Sequence, residues 1–327
     1  MSKLVTIFGG SGFVGRYIAR RLAKEGWRIR VAVRRPNEAM HVKPYGAVGQ
    51  VEPVFCNIRD DDSVRAVLHG ADAVVNCVGT FDRNGKNNFG AVQYEGAARI
   101  ARLAAELGAQ RLVQISAIGA DLNSDSVYAQ TKAKGEAAVL EAFPDAVILR
   151  PSVVFGHEDA FFNRFAGMTR FSPVLPVVGA ETKFQPVYVD DVAQAAVKGV
   201  TGDAAPGIYE LGGPDVKTFR ELMQQMLGVI RRRRLIANIP FGIAAIMAAV
   251  MELVQTITLK LVPPQITRDQ VRSLRVDNVV SDGAKGFEEL GIQPVSIETI
   301  LPDYLWRFRP AGQYEAIKES ASNLRAD

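Results

Sequence analysis

Cysteine and histidine are scarce in this sequence of 327 residues. The two cysteines, Cys56 and Cys77, exclude a disulfide-stabilised scaffold and the common zinc sites built from several cysteines. Three histidines, His41, His69 and His157, are too few for a histidine-rich metal centre. We therefore predict that the protein holds no metal.

The sequence also lacks a strong excess of either charge. Lysine and arginine number 39 against 35 aspartates and glutamates, which gives a net charge of +4. This mild excess suits a phosphate-bearing ligand or an anionic membrane surface, and we predict no nucleic acid as partner. With 48% hydrophobic residues the chain is expected to fold around a large core, and its length fits about two domains or one large α/β unit.

No targeting leader is recognisable. The apolar run from Lys3 to Phe8 is typical of a strand, and only Met1 and Ser2 precede it. A secretory signal needs an apolar stretch with a small-residue cleavage site, and a transit peptide needs a leader rich in serine and arginine. We expect a protein of the reducing cytoplasm, most simply bacterial, although a processed organellar protein would have the same features.

Strand-like and helix-like segments alternate through the first half of the chain. Continuous apolar runs such as residues 4–8, 71–79 and 111–116 are typical of buried parallel strands. The alternation predicts an α/β fold with a doubly wound parallel Rossmann sheet over residues 1–154. A smaller, partly helical C-terminal lobe and tail are expected over residues 155–327, with residues 207–213 returning as a strand of the main sheet.

A glycine-rich loop joins the first strand to the first helix. Gly9, Gly12 and Gly15 have the spacing G-x-x-G-x-x-G. Glycine lets such a loop turn tightly and approach a pyrophosphate, and the helix N-terminus supplies N–H groups and its dipole. A purely structural turn is the alternative, but the position within a βαβ unit favours a dinucleotide site. The predicted cofactor contacts include the neighbouring loop residues Ser11, Phe13, Val14 and Arg16.

Two arginines follow the second strand. In dinucleotide-binding folds an acidic residue at this position selects NAD, whereas arginine accommodates the 2′-phosphate of NADP. Arg34 and Arg35 occupy the position, with Arg16 as a further candidate, so we predict NADPH as the cofactor. The alternative is that these arginines are only solvated surface charge. Asn57 and Ile58, at the end of the third strand, are predicted to hold the adenine.

Tyr128 and Lys132 form a Y-x-x-x-K motif after the fifth strand. Residues four apart share one face of a helix. A lysine ammonium beside the phenol lowers the phenol's pKa and can hold the nicotinamide ribose, which makes the tyrosine a workable proton donor or acceptor for hydride chemistry. The motif alone is common by chance, and its place in a dinucleotide fold makes it more specific.

Together these motifs resemble the extended or atypical branch of the short-chain dehydrogenase/reductase superfamily. The resemblance covers most of residues 1–214. Its further matching segments are NCVG (76–79), RPSVVFG (150–156), PVYVDDVA (186–193) and YELGGP (209–214). It implies that Val78, Gly79 and Pro151 also contact the cofactor.

One catalytic position departs from the superfamily. The resemblance implies a serine or threonine after the fifth strand to complete the catalytic set. Ser116 lies at the strand end, whereas Ala117 occupies the position that the extended branch uses. We therefore expect no active catalytic residue, and Ser116, Tyr128 and Lys132 are vestigial candidates.

The tail narrows the resemblance to the nucleotide-binding accessory subunits of respiratory complex I, in their bacterial form. The segment PPQITRDQVRSLRVDNVVSDGAKGFEELG (263–291) is similar to the tail of that family, and QPVYV (185–189) is typical of it. The resemblance implies an NADPH that is held structurally rather than turned over, with other complex I subunits as partners.

A basic segment precedes an apolar one in the C-terminal half. Four arginines, from Arg231 to Arg234, are followed by the uncharged residues 235–251, a run slightly shorter than the roughly 20 residues that span a bilayer. Residues 241–261 have an amphipathic pattern, and the apolar stripe comprises Ile243, Ile246, Met247, Val250, Val254, Ile257 and Leu261. We predict a helix that docks on an anionic membrane surface or an apolar partner. An ordinary core-facing helix is the alternative.

Three functions are compatible with these features. The first is a non-catalytic accessory subunit of complex I (NADH:ubiquinone oxidoreductase) that binds NADPH and supports assembly near the quinone-site arm, peripheral to the cytoplasmic face of the bacterial inner membrane, or to the matrix side in an organelle. The second is an active NADPH-dependent reductase or epimerase acting on a small or quinone-like lipid substrate. The third is an NADPH-sensing binding module. The tail and Ala117 favour the first.

Overall fold

The computed structural model describes residues 2–80, 85–258 and 266–314. The strands are β1 (Leu4–Phe8), β2 (Arg28–Val33), β3 (Val51–Phe55), β4 (Ala73–Asn76), β5 (Arg111–Ile115), β6 (Val147–Pro151), β7 (Val154–Phe155), β8 (Val174–Val178), β9 (Lys183–Phe184), β10 (Val187–Tyr188), β11 (Gly207–Leu211), β12 (Lys217–Thr218) and β13 (Leu235–Ile239). The helices are α1 (Phe13–Lys24), α2 (Asp61–Leu68), α3 (Glu95–Glu106), α4 (Val127–Ala142), α5 (Phe162–Met168), α6 (Val189–Thr201), α7 (Phe219–Val229), α8 (Phe241–Ile257), α9 (Arg268–Ser273) and α10 (Ile297–Leu305).

The chain forms two compact units, and each is built from several stretches of sequence. The first unit comprises Met1–Ser152, Val189–Gly212 and Val280–Pro294. The second comprises Val153–Tyr188, Gly213–Val279 and Val295–Asp327.

The first unit is organised around a seven-stranded sheet in the order β11-β6-β5-β4-β1-β2-β3. Every neighbouring pair is parallel. Parallel strands that are covered on both faces have continuous apolar sequences, and β4 is buried at all four positions. These observations confirm the doubly wound parallel sheet. Because all strands run in the same direction, the loops that follow them meet at one edge of the sheet.

Helices of the first unit are fixed by caps and ion pairs. Asp60 accepts a hydrogen bond from the Ser63 N–H at 2.8 Å and caps α2. Arg21 on α1 forms a bidentate ion pair with Asp190 on α6, with both N···O distances at 2.7 Å. Bidentate pairs fix the relative orientation of the two side chains as well as their distance, so α1 is held in register along α6.

The second unit, which is the smaller lobe, combines short strand pairs with helices. β7 pairs with β10 and β8 with β13 in parallel, while β9 and β12 pair in antiparallel fashion. Its core is rich in aromatic rings, with Phe161 stacked on Phe219 at a centroid separation of 5.4 Å. Large rings bury much apolar area per residue, which compensates for the short strands.

Helix α8 presents its apolar stripe to solvent rather than to its own unit. Its small residues Ala244 and Ala248 are buried against Val178 and Val271. The exposed apolar residues are Ile243, Ile246, Met247, Val250, Leu253 and Val254. In the described part of the stripe, these side chains do not face the core of the unit. Positions 259–261 of the predicted segment, like residues 263–265 of the tail, lie outside the described residues. Over the described ranges, no helix has the length and hydropathy needed to cross a membrane.

Candidate functional site

The glycine loop is closely packed between β1 and α1. Gly9 has a φ of +73°, a conformation that side chains disfavour. A Cβ added to Gly15 would lie 2.5 Å from the Gly9 carbonyl oxygen and 2.7 Å from the Gly10 Cα. Gly12 donates its N–H to the Gly9 carbonyl at 2.9 Å and closes the turn. The start of α1 can approach the loop only because these positions carry no side chain.

The N-terminus of α1 differs from those of several other helices. Gly12 is its N-cap, and among the described residues neither a capping side chain nor an acidic first-turn residue is present there. By contrast, α4 is capped by Ser126 and α7 by a capping box from Thr218. The first N–H groups of a helix need acceptors, and the dipole favours a negative one. The end of α1 therefore offers donors suited to a phosphate.

Arg16 is turned back towards the loop. Its guanidinium donates to the carbonyls of Gly12 at 3.2 Å and Ser11 at 3.1 Å. Phe13 and Val14 are half-buried in the first turn. The predicted loop residues are thus held together by α1, and Arg16 fixes the loop carbonyls.

The predicted ribose-reading arginines lie at the surface. Arg34 and Arg35 are exposed immediately after β2, and Arg35 pairs with Glu38 at 2.9 Å. Asn57 and Ile58 follow the neighbouring strand β3 and are half-buried. Since β2 and β3 are adjacent and parallel, these four residues follow neighbouring strand ends at one edge of the sheet.

Asn76 shapes the loop that carries Val78 and Gly79. Its side chain accepts the Val78 N–H at 3.0 Å and donates to the Gln114 amide oxygen at 2.8 Å. A Cβ added to Gly79 would lie 4.0 Å from the Lys132 Nζ. The loop after β4 is therefore next to the lysine of the Y-x-x-x-K motif.

Lys132 and Tyr128 lie on α4, as the motif spacing predicts. Lys132 is buried and donates its Nζ to the Ile115 carbonyl at 3.2 Å. Burial lowers its pKa to about 8, against the opposing effects of Glu136 and Cys77. Tyr128 meets the Phe89 ring edge-on at 5.9 Å, and burial raises the pKa of its phenol to about 12.

Ser116 carries the one buried side-chain polar atom without a hydrogen-bond partner in the described part of the chain, its Oγ. Its N–H donates to Leu149 at 2.7 Å, and Pro151 accepts the Ile118 N–H at 3.0 Å. An unsatisfied buried hydroxyl is destabilising unless a ligand or water supplies the partner. Ser116 therefore fits a position facing a bound group.

Sequence reasoning missed a buried polar network behind this site. Gln93 accepts the Thr131 hydroxyl at 2.8 Å and donates to the Thr80 carbonyl at 2.8 Å. Gln93 lies in a π-helical turn, Gly90–Tyr94, directly before α3. The network ties α4 to the loop after β4. The only signal for this network in the sequence was Gln93 itself, a polar residue on the otherwise apolar face that leads into α3.

A buried ion network supports the same helix and was also missed. Arg150 on β6 contacts Glu136 on α4 at 2.6 Å and Glu210 on β11 at 3.4 Å. Glu210 also accepts the Ser281 N–H at 2.8 Å. The partners are distant in sequence, so no local pattern indicates them. Glu136 lies one turn beyond Lys132 on α4.

The site residues of the first unit fit a dinucleotide. The loop and the open end of α1 offer donors for a pyrophosphate, and Arg34 and Arg35 offer positive charge at the next strand end. The Ser116 hydroxyl and Lys132 mark the opposite end of the site, after β5 and on α4. The roles of the individual residues remain predictions.

Comparison with known proteins identifies relatives along nearly the whole chain. The chain is 37% identical over 316 residues to "NADH dehydrogenase [ubiquinone] 1 alpha subcomplex subunit 9, mitochondrial" of Arabidopsis thaliana, covering 94% of this chain and 79% of that protein. It is 32% identical to the "NADH-ubiquinone oxidoreductase 40 kDa subunit, mitochondrial" of Neurospora crassa, covering 98% and 84%. It is also 32% identical to the "Ceramide reductase" of Caulobacter vibrioides, covering 72% and 74%.

Solved structures share the fold at lower identity. UDP-glucose 4-epimerase of Thermotoga maritima superposes with a TM-score of 0.70 at 16% identity and covers 93% of this chain and 98% of its own. An NADPH-dependent quinone oxidoreductase of Escherichia coli, complexed with NADPH, also gives 0.70 at 16%, covering 92% and 98%. The model of the NAD dependent epimerase/dehydratase family matches residues 5–212. The chain therefore belongs to the NAD dependent epimerase/dehydratase family, within the extended short-chain dehydrogenase/reductase superfamily.

Proposed function

We propose that this protein is an accessory subunit of respiratory complex I that binds NADPH as a structural cofactor. The observation that carries the proposal is the similarity to complex I subunits of two organisms, which extends through both units and the tail. The glycine loop and the open N-terminus of α1 support nucleotide binding. Binding of NADPH would stabilise the folded first unit by mass action and thereby support assembly.

NADPH is favoured over NADH by the charge after β2. Arg34 is exposed, and no acidic residue precedes Glu38 in this loop. A guanidinium paired with a 2′-phosphate contributes about 1.5–3 kcal/mol. Bound NADPH carries a hydride that it can donate to an acceptor. In this chain the residues that would hold its nicotinamide end are Tyr128, Lys132 and Ser116.

The pKa shifts support a structural rather than a catalytic cofactor. A proton donor works best when its pKa is near the working pH. Burial instead raises the pKa of Tyr128 to about 12, well above the working pH, and Lys132, whose pKa is lowered to about 8, still carries its charge at neutral pH. The extended branch usually has a serine or threonine hydroxyl at the position of Ala117. Alanine has no side-chain oxygen to take that role.

An active lipid reductase is the second candidate. The Tyr128–Lys132 pair is intact, and the Ser116 hydroxyl is unpartnered among the described residues, as a carbonyl-binding group would be. The similarity to a ceramide reductase, although it covers less of the chain than the similarity to complex I subunits, favours a lipid as its substrate class.

The exposed stripe of α8 supports peripheral docking. Ile246 and Val250 are 67% and 54% exposed on a helix whose other face is packed on its own unit. A surface of this kind is stabilised when an apolar partner or the acyl boundary of a membrane covers it. The protein would then lie at the membrane surface beside other complex I subunits.

The proposal is tested by isolating the tagged protein from its native host in mild detergent. We expect it to migrate with a large assembly that has NADH:quinone activity, and to release about one NADPH per chain on denaturation. Arg34→Ala should reduce the bound NADPH without introducing NADH. Isolation as a free protein that reduces a lipid carbonyl with NADPH would instead support the second candidate.

A further inference from the structure

The surface of the second unit has a shallow, open cavity of about 420 Å³, and the charged residues that line it in the described ranges are arginines. Its lining residues are Arg220, Gln224, Leu227, Arg232, Arg233, Arg234, Leu235 and Ile236. They come from α7, from the segment that follows it, and from the start of β13. Within the described part of the chain, no carboxylate is part of this lining, so the lining is positively charged.

A tight turn at the end of α7 places these arginines. Arg232 donates its N–H to Leu227 and Arg231 donates to Gly228, which closes the helix in a Schellman motif. Arg231 has a φ of +54° and is the one non-glycine residue with a positive φ in the described ranges. Glycine is usual at this position, so the chain adopts an unfavourable conformation where it turns the next three arginines into the cavity.

Backbone carbonyls hold two of the arginine side chains. Arg232 donates to the Phe308 carbonyl at 2.8 Å, and Arg234 donates twice to the Thr169 carbonyl, at 3.0 and 2.8 Å. Both acceptors are neutral, and neither arginine has an ion pair among the described residues. Burial, followed by the charges of Arg234 and Arg170, lowers the pKa of Arg232. The guanidinium groups thus repel one another across the cavity.

An anion would relieve this repulsion. Arg233 is exposed in the lining, and Arg220 pairs with Glu181, which is 72% exposed. Guanidinium groups match phosphate well because their N–H groups form parallel charge-assisted hydrogen bonds to two oxygens. The favoured ligand is therefore a phosphate group.

Exposed apolar residues border the cavity and indicate the source of the phosphate. Leu235 is 68% exposed and Phe171 is 92% exposed. Phe171 lies between Thr169, which binds Arg234, and Pro173, whose carbonyl accepts the Leu235 N–H at 3.1 Å. β13 then leads directly to α8 with its exposed stripe. A phosphate site beside apolar side chains is suited to an amphiphile rather than to a soluble metabolite.

We propose that this arginine cavity binds the phosphate of an anionic phospholipid headgroup at a membrane surface. The inference deepens the membrane docking proposed above and is independent of the nucleotide site in the first unit. It assigns the charge contact to the cavity and the apolar contact to Phe171, Leu235 and the α8 stripe.

The test uses the purified full-length protein and two kinds of vesicle, phosphatidylcholine alone and phosphatidylcholine mixed with phosphatidylglycerol. We expect stronger co-sedimentation with the mixed vesicles. Arg233→Gln, which removes a lining charge without removing a described hydrogen bond, should weaken binding to mixed vesicles about fivefold, and Arg220→Gln with Arg233→Gln about 25-fold. The matched control is Arg20→Gln, an exposed arginine on α1 in the first unit, which should have no effect.

Three outcomes would overturn the lipid site. Equal binding to both vesicles would remove the need for a headgroup charge, and equal weakening by Arg20→Gln and Arg233→Gln would reduce the effect to net charge. Full competition by inorganic phosphate at equal phosphate concentration would assign the cavity to a soluble ligand. NADPH affinity, measured on the same preparations, should be unchanged by Arg233→Gln, so that failure here is distinguishable from failure of the nucleotide proposal.

Discussion

The two units of the chain differ in the groups that they leave available for a ligand. The first leaves backbone donors at the start of α1 and one buried hydroxyl, on Ser116. The second leaves guanidinium groups around an open cavity and an apolar stripe on α8. Fixed backbone donors select a ligand of one shape, whereas long charged and apolar side chains adapt to an extended surface.

The contrast suggests that the first unit binds the cofactor and that the second unit binds a partner. The nucleotide site is supported by buried networks around Gln93 and Arg150, which fix the position of α4. The proposed docking surface would depend instead on exposed residues that contribute little to the stability of their own unit. Mutations should therefore affect stability and nucleotide binding in the first unit, and association in the second.

The largest expected effect is on the buried ion network of the first unit. Glu136→Gln should lower the free energy of unfolding by about 3 kcal/mol, because the partly buried Arg150 then keeps only its longer ion pair, to Glu210. Denaturant unfolding measures the change. In the second unit, Glu298→Gln removes a carboxylate that is 73% exposed and should change stability by less than about 1 kcal/mol. Similar losses at both positions would contradict the contrast between the units.

The glycine loop gives the next largest effect. Gly15→Ala places a Cβ 2.5 Å from the Gly9 carbonyl oxygen, and relieving such overpacking costs about 1–3 kcal/mol. If the loop moves, NADPH affinity should fall about 10- to 100-fold, as isothermal titration would measure. Gly228→Ala, on α7 in the second unit, has open space around the new methyl group and should leave affinity unchanged. Wild-type affinity in Gly15→Ala would show that the nucleotide does not use this loop.

The pH dependence of stability isolates Lys132. Its pKa is about 8 in the folded protein against an ordinary 10.5, so between these values the unfolded chain binds more protons. The contribution of Lys132 to the free energy of unfolding should therefore rise with pH, by about 2 kcal/mol from pH 8 to pH 10. Cys77 and Tyr128, whose pKa values are raised, act in the opposite direction as pH increases.

Subtracting the pH profile of Lys132→Met from that of the wild type removes these opposing contributions. The difference is measured by urea unfolding of the nucleotide-free protein at each pH. A flat difference would mean that the ammonium is solvated in the folded state and is not held against the Ile115 carbonyl.

The smallest expected effect on stability is on α8. Replacing Ile246 and Val250 with glutamate should change the free energy of unfolding by no more than about 0.5 kcal/mol each, since both side chains are exposed. The same double variant should leave the membrane fraction of the native host, because a charge on the docking face opposes burial. Gln255→Glu, which adds a charge on α8 outside the exposed apolar stripe, serves as the matched control. Retention of the double variant would locate docking elsewhere.

Much of the first unit could be predicted because its signals are local. The strands of a covered parallel sheet are continuous apolar runs, and Tyr128 and Lys132 are four residues apart on one helix. The networks around Gln93 and Arg150 could not be predicted, since their partners come from separate elements and meet only when the sheet is assembled. The run of four arginines could be recognised in the sequence. That three of them line one cavity could not, because their placement depends on the turn at Arg231.

The central claim is that NADPH is held and not turned over, and NADPH oxidation by the isolated native assembly tests it most directly. Wild type and Tyr128→Phe, which keeps the ring and removes only the hydroxyl, are compared at equal content of assembled complex. We predict no NADPH-dependent turnover in either, with equal NADH:quinone activity per complex. An NADPH-dependent turnover in the wild type that falls about 10²–10⁴-fold in Tyr128→Phe, the usual magnitude for losing a general acid–base group, would contradict the account and identify a reductase.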